Sequence, residues 1–405
     1  MKILFAGDIS THHSKETKGK AAEAAFAELL PILKSADYRL VNQENVLCPE
    51  GVGYAIAKSG PNLRGDEENI DLLKAGGFDC AILANNHFGD FHHAASLATI
   101  ALLEREGFAH IGGGKDIDAA YEAVIFEKDG VRTSFIAVCE NEFGGATKTG
   151  AGAAVFNLRK LADRIAEEKQ RADFVVVAFH GGNEYNPLPA PRARDRYRLI
   201  LDLGADALIG GHTHCMQGYE FYHGKPIVYS LGNFFFPWPN TKQASGWNYG
   251  YMAELTLEKG KQAGLALHPY RLEVDKNVLH LYTGEEKKTV LDYIERISAL
   301  IGDDDELAKY FDAWCLGSGV NYAKNLMGYT PDFEKSGHDY ETLQKISPVR
   351  NLFTCESHNF LIENLLRMEH ENRFDEAKAY TDKLAALQKM PLTEVTEGGV
   401  YSQIL

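Results

Sequence analysis

The amino-acid sequence predicts an α/β fold of stacked sheets and helices, followed by a helical C-terminal module. Three observations carry that prediction. Short apolar runs alternate with amphipathic stretches over the first 235 or so residues; polar clusters recur just past the ends of those runs; and strand-like patterning gives way to helical periodicity near residue 285.

The elements follow in order. Residues 2–6 (KILFA) form a buried-strand run ending at Gly7-Asp8, and residues 20–34 carry alanine-rich helix propensity with an apolar stripe. Residues 38–42 (YRLVN) return to strand and run into Gln43-Glu44. A helical stretch at 66–75 precedes a strand at 78–84 that ends at Asn85-Asn86-His87, and a helix near 91–106 leads to a short strand at 108–111. Strands at 122–127 and 131–138 flank Lys128-Asp129-Gly130, and Asp-Gly is a strong hairpin signal. Helix 157–170 feeds a strand at 173–179 ending at His180. Helix 193–203 feeds another at 206–209 ending at Gly210-Gly211-His212. Residues 225–231 end at Gly232-Asn233. The alternating runs 250–258 and 262–273 read as antiparallel strands completing a second sheet, and helices are expected near 285–301, 305–315, 357–369 and 373–389. The chain is thus divided into a domain at 1–284 and a mostly helical module at 285–405, with no internal repeat.

Bulk properties exclude several classes. The chain has 405 residues, is 45% hydrophobic and 24% charged, and carries a formal net charge of -15. Such a balance suits a globular protein and argues against binding nucleic acid, which needs a basic surface. The apolar run at the amino terminus is too short for a signal peptide, and no run is long enough for membrane insertion. The six cysteines are scattered without CxxC spacing, which favours reduced thiols and a cytoplasmic location.

Strand ends decide the chemical reading. In open α/β sheets the strand fixes position while the loop after its carboxyl end presents chemistry. Asp8, Glu44, Asn86, His180, His212 and His214 all occupy such positions. Taken singly, each has a bland reading: a turn aspartate, a capping glutamate, a satisfied core histidine. Together they supply three imidazoles, two carboxylates and an amide, a mixed oxygen and nitrogen set suited to two divalent ions of Mn, Zn or Fe type. Glycines before His212 allow close backbone approach. His87, beside Asn86, is the candidate acid catalyst, oriented by Asp90 three residues on. An acidified water attacking phosphorus or a carbonyl, with His87 protonating the leaving group, completes the reading.

Weaker signals surround this set. Arg192 and Arg194, in a run that otherwise reads as a solvated helix face, are candidates to meet an anionic substrate. His12 and His13 follow Asp8 closely enough to be alternative ligands. Trp238 and Trp247 flank a loop and read as core packing in preference to a lid. Gly112-Gly113-Gly114 lacks the Lys-Ser/Thr of a phosphate-binding loop and reads as a turn.

With these residues assembled, the chain resembles the capsule-synthesis CapA family, a branch of the calcineurin-like metallophosphoesterase superfamily. The resemblance covers roughly residues 1–257. It rests on FAGDI (5–9), VNQENVL (41–47), LANNHFGD (83–90), FHGGNEY (179–185), DLGADALIGGHTHCMQGYE (202–220) and GKPIVYSLGNFFF (224–236). It implies a four-layer α/β/β/α metallophosphoesterase-like sandwich, Glu44 bridging two metals, and Glu184 and Tyr185 on the site rim. Ser10 stands where classical metallophosphoesterases have a histidine, and Glu44 where they bridge with an aspartate; both fit the capsule branch. The implied function is a metal-dependent hydrolase acting on a phosphoester or a polyglutamate amide linkage, with an anionic small-molecule or polymer substrate. The alternative is a non-catalytic, metal-binding accessory factor for polymer assembly. Capsule-biosynthesis proteins are the implied partners.

Overall fold

The computed structural model describes residues 1–326 and 337–392. Two sheets stack face to face. The first has the strand order β14-β13-β12-β1-β2-β3-β4, where β1 is Lys2–Ile9, β2 Tyr38–Gln43, β3 Cys80–Ile82, β4 Ala109–Ile111, β12 Tyr249–Thr256, β13 Gly264–Glu273 and β14 Val278–Leu281. The short β11, Asn233–Phe235, lies parallel beside the end of β1, with Asn233 opposite Asp8. The second sheet has the order β9-β10-β8-β7-β6-β5. Here β5 is Val124–Lys128, β6 Val131–Cys139, β7 Phe174–His180, β8 Ala207–Gly211, β9 Tyr219–Tyr222 and β10 Lys225–Val228.

β1 to β4 are parallel neighbours, as are β6, β7, β8 and β10, so their carboxyl ends share one edge of the stack. Strands buried on both faces read as continuous apolar runs, which β1 and β7 are. The Asp129-Gly130 turn joins β5 and β6 as an antiparallel pair, with Asp129 and Gly130 both at positive φ. Phe135 bridges the sheets, 6.1 Å edge-on from Phe5 and stacked 5.5 Å from Tyr38. Helices cover the outer faces. Phe26, beside helix Lys20–Ala25, meets Phe234 of the first sheet at 5.0 Å, and Tyr197 of helix Pro191–Asp202 stacks on Tyr229 beside the second at 5.4 Å. The architecture is therefore the expected four-layer α/β/β/α sandwich.

Several details differ from expectation. The predicted helix 20–34 is two short helices, Lys20–Ala25 and Leu30–Ser35, because Pro31 fits only a first turn. The strands expected to complete the second sheet extend the first, β12 pairing antiparallel with β1 in the register Ile3 to Leu255. Helix Tyr340–Thr354 was not foreseen, since Pro348 lies inside it and interrupts the sequence signal.

The C-terminal helices pack onto the sandwich within one continuous hydrophobic core. Helix Gly284–Ile301 buries Val290, Tyr293, Ile294 and Ile297, and its Ser298 hydroxyl accepts from the Tyr219 amide at 2.9 Å. Helix Asp304–Lys324, longer than expected, lies against helices Glu356–His370 and Phe374–Leu387. Arg373 joins this group by pairing with Asp312 at 2.7 Å.

Candidate metal centre

Asp8, Asn86, His180, His212 and His214 all lie at or just past the carboxyl ends of β1, β3, β7 and β8, and Glu44 follows β2 directly. All six are buried. The close approach that brings β10 against β8 demands glycine at 210, where a Cβ would lie 2.0 Å from the Tyr229 carbonyl oxygen. Beyond it the chain turns sharply. His212 has φ 92° and His214 φ 53°, left-handed conformations that non-glycine residues adopt at a cost and that cluster at functional sites.

The first sheet contributes the oxygens. Asp8 Oδ1 accepts from Asn42 Nδ2 at 2.7 Å, and Asp8 Oδ2 lies 3.3 Å from the His212 amide. Asn42 Nδ2 also donates to Glu44 Oε2 at 3.3 Å, which sets the two carboxylates side by side. The other carboxylate oxygen, Glu44 Oε1, has no hydrogen-bond partner among the described residues. It faces three ring nitrogens instead: His214 Nε2 at 3.7 Å, His180 Nε2 at 3.9 Å and His87 Nε2 at 4.0 Å. His180 Nε2 in turn lies 3.2 Å from both His212 Nδ1 and Asn86 Oδ1. Asp8, Glu44 and His180 form a group able to hold a metal ion.

Electrostatics favour the same interpretation. Burial pushes the Asp8 carboxyl up to about 6 and Glu44 well above the usual carboxylate range. Burial also drives His214 down to about 3 and His180 well below the ordinary imidazole value. Neutral imidazoles and desolvated carboxylates are donors lacking a positive counterpart, and an isolated buried carboxylate is costly. The orphaned Glu44 oxygen among three imidazoles fits divalent cations.

His87 points its other nitrogen away from this cluster. Nδ1 lies 2.7 Å from Asp90 Oδ2, the orienting contact expected from the sequence. An unforeseen residue completes the group: Lys58, fully buried, sits 2.8 Å from Asp90 Oδ1 and 3.2 Å from His87 Nδ1. Against the burial that would raise it, Lys58 and His87 hold Asp90 below the usual carboxylate range. Burial, then Lys58, lowers His87. Lys58 is positioned from outside the sandwich. Its amide and carbonyl both bond the Gln344 side chain, and Ser347 donates to the Ala57 carbonyl at 3.1 Å.

Two further polar residues escaped sequence reasoning although they too stand at strand ends: Asn42, which ties Asp8 to Glu44, and Asn233, whose Oδ1 lies 2.9 Å from His214 Nδ1. Their position was the available signal. Lys58 offered none.

Other candidates fall elsewhere. Tyr185 lies on the rim, its ring 6.3 Å from that of His214, and Glu184 is half-buried beside it. Arg194 and Arg192 turn to the C-terminal helices rather than to an entering substrate. Arg194 bonds the Ile301 carbonyl at 3.1 Å and Asp304 at 2.6 Å, and Arg192 lies 4.4 Å over Phe360. His12 accepts from the Arg64 amide and His13 packs on Trp238, so neither joins the cluster. Trp247 is core, 4.4 Å from the His214 ring with Nε1 donating to the Phe236 carbonyl.

A family model described as bacterial capsule synthesis protein PGA_cap matches residues 2–237. The capsule biosynthesis protein CapA of Bacillus anthracis is 31% identical over 256 residues, covering 60% of this chain and 62% of that protein. The PGA biosynthesis protein CapA of Bacillus subtilis (strain 168) is 30% identical over 252 residues, covering 60% and 66% respectively. The matched segment thus spans less than two thirds of either relative. A solved structure of a novel phosphatase from Mycoplasma pneumoniae aligns with a TM-score of 0.40 at 15% identity, over 69% of this chain and 90% of that one.

Proposed function

The chain belongs to the bacterial capsule synthesis protein PGA_cap family, and from that premise we propose that it is a metal-dependent hydrolase of a phosphoester or a polyglutamate amide linkage. The observation that carries this reading is the unpartnered Glu44 Oε1 facing three imidazole nitrogens in a buried, strand-end cluster. Asp8, Glu44, Asn86, His180, His212 and His214 would hold two divalent ions. Such ions supply Lewis-acid polarisation of a phosphoryl or carbonyl oxygen and a water acidified towards neutrality.

The chain's own residues account for the rest. His87 presents Nε2 to the cluster while ionised Asp90 accepts from its Nδ1–H. Burial and Lys58 favour the neutral ring at rest, so the proton that Nε2 would pass to a leaving group is one gained during turnover, with Asp90 stabilising the imidazolium. Lys58 keeps Asp90 ionised, which holds the imidazole in one orientation. Asn42 spaces the two carboxylates, and Asn233 fixes the ring of His214. Trp247 and Phe236 wall the His214 side with apolar surface.

Metal analysis of the purified chain, followed by a panel of phosphoester and gamma-glutamyl substrates, tests the reading. His87→Ala is expected to retain metal and to lose about 100-fold or more in turnover, the usual contribution of a general acid. Metal bound with no turnover on any substrate, together with a stable capsule-biosynthesis partner in pull-downs, would instead establish the accessory-factor alternative.

A further inference from the structure

We propose that Glu142, Cys355 and His358 form a separate site for a divalent cation of the zinc type, where the C-terminal helices meet the sandwich. Glu142 lies in the loop after β6, and Cys355 and His358 open helix Glu356–His370. A carboxylate oxygen, the thiol sulfur and a ring nitrogen, one from each residue, lie within 4.8 Å of one another. None of the three belongs to the cluster of six strand-end ligands. Cys355 caps the helix and His358 stands three residues on in its first turn, a spacing that brings both side chains to one side of the helix.

A fourth residue supports the group. Asn351 Nδ2 donates to Glu142 Oε1 at 3.0 Å and to His358 Nδ1 at 3.0 Å. An amide nitrogen can only donate, so in that contact Nδ1 is the bare nitrogen of a neutral ring, the one with a lone pair to give a metal. The other end of the same amide, Asn351 Oδ1, is buried and has no hydrogen-bond partner among the described residues. A half-turn of the amide sets this oxygen towards the same two groups, as a fourth ligand.

The donor set selects the ion. Thiol sulfur, imidazole nitrogen and oxygen together suit a borderline metal such as zinc, whereas magnesium and calcium take oxygen. Burial, then Glu140 and Glu142, pushes the Cys355 thiol up, so the free sulfur keeps its proton, 3.5 Å from Glu140 Oε2. A coordinating cation displaces that proton to solvent and leaves the thiolate as its ligand. His358 is half-buried, which gives an ion a way in. Bound there, the cation clasps the C-terminal helices to the loop after β6.

The sulfur makes the site separable from the cluster of six, which contains no cysteine. The full chain is stripped with chelator and titrated with cobalt, whose bonding to a thiolate gives a charge-transfer absorption that nitrogen and oxygen ligands do not give. This band is expected to saturate, and added zinc should erase it. Cys355→Ser should abolish the band and lower the total metal content by one equivalent, leaving the other ions bound. His358→Gln keeps the thiol and should weaken cobalt binding, read from the same band, by about ten-fold or more, the least that disturbing a metal ligand's surroundings costs. Its side chain is half-buried, so it carries the test should the serine variant not fold. No thiolate band at cobalt saturation, a band that survives in Cys355→Ser, or an affinity unchanged in His358→Gln would overturn the proposal. Failure of the cluster of six to bind metal would leave the band in place, so the two sites are judged apart.

Discussion

Glu44 is the residue on which the site turns. Its ionised form is disfavoured by burial and by neighbouring Asp8 and Glu184, so the carboxylate is strained until a cation compensates it. Glu44→Gln should accordingly lose bound metal while the metal-free protein melts no lower than the parent; elemental analysis and thermal melts read the two together. Lys58 behaves oppositely. Lys58→Met leaves Asp90 buried with one charged partner fewer, and a loss of about 3–5 kcal/mol in denaturant titration is expected. Glu142 gives a pH signature. Against its burial, His358, His212, Lys58 and an Asn351 hydrogen bond hold its carboxyl down at about 2. The stability it contributes is complete above the unfolded value near 4.5 and is lost as pH falls towards 2. Glu142→Gln should therefore flatten the acid side of the stability curve across that window. Asp8, Glu44 and the three strand-end histidines were legible in the sequence because each terminates an apolar run. Lys58 was not, because it reaches the site from a loop without periodicity and across more than twenty residues of chain.

At the scale of elements, the parallel strands explain why so much of the site could be read. A parallel sheet orders its carboxyl ends by topology, so residues at those ends converge whatever the loops do between them. Helices are less transparent. Pro348 concealed Tyr340–Thr354, the element that grips the Lys58 segment from both sides of its peptide. Gln344→Ala should loosen that grip. Exchange of the Lys58 amide proton is expected to quicken by about ten-fold, the worth of one hydrogen bond, while amides of β1 and β7 hold their protection. Membership of one sheet or the other was also hidden for β12 and β13, since alternation identifies a strand without identifying its neighbour.

At the scale of the whole molecule, the six cysteines are all free and buried, and no helix among the described residues is long and apolar enough to cross a membrane. The four layers are thus held by packing rather than by cross-links. That makes the origin of the candidate ligands consequential: Asp8, Glu44 and Asn86 come from one sheet, and the three histidines from the other. A cation gripped by both would act as a rivet through the sandwich, and the layers could not part without releasing it. Saturation at about 100 times the dissociation constant would add about 2.7 kcal/mol. Chelation should then lower the melting temperature as well as silence any chemistry, and the same rivet would resist a protease or a mechanical pull that starts by prising the two sheets apart.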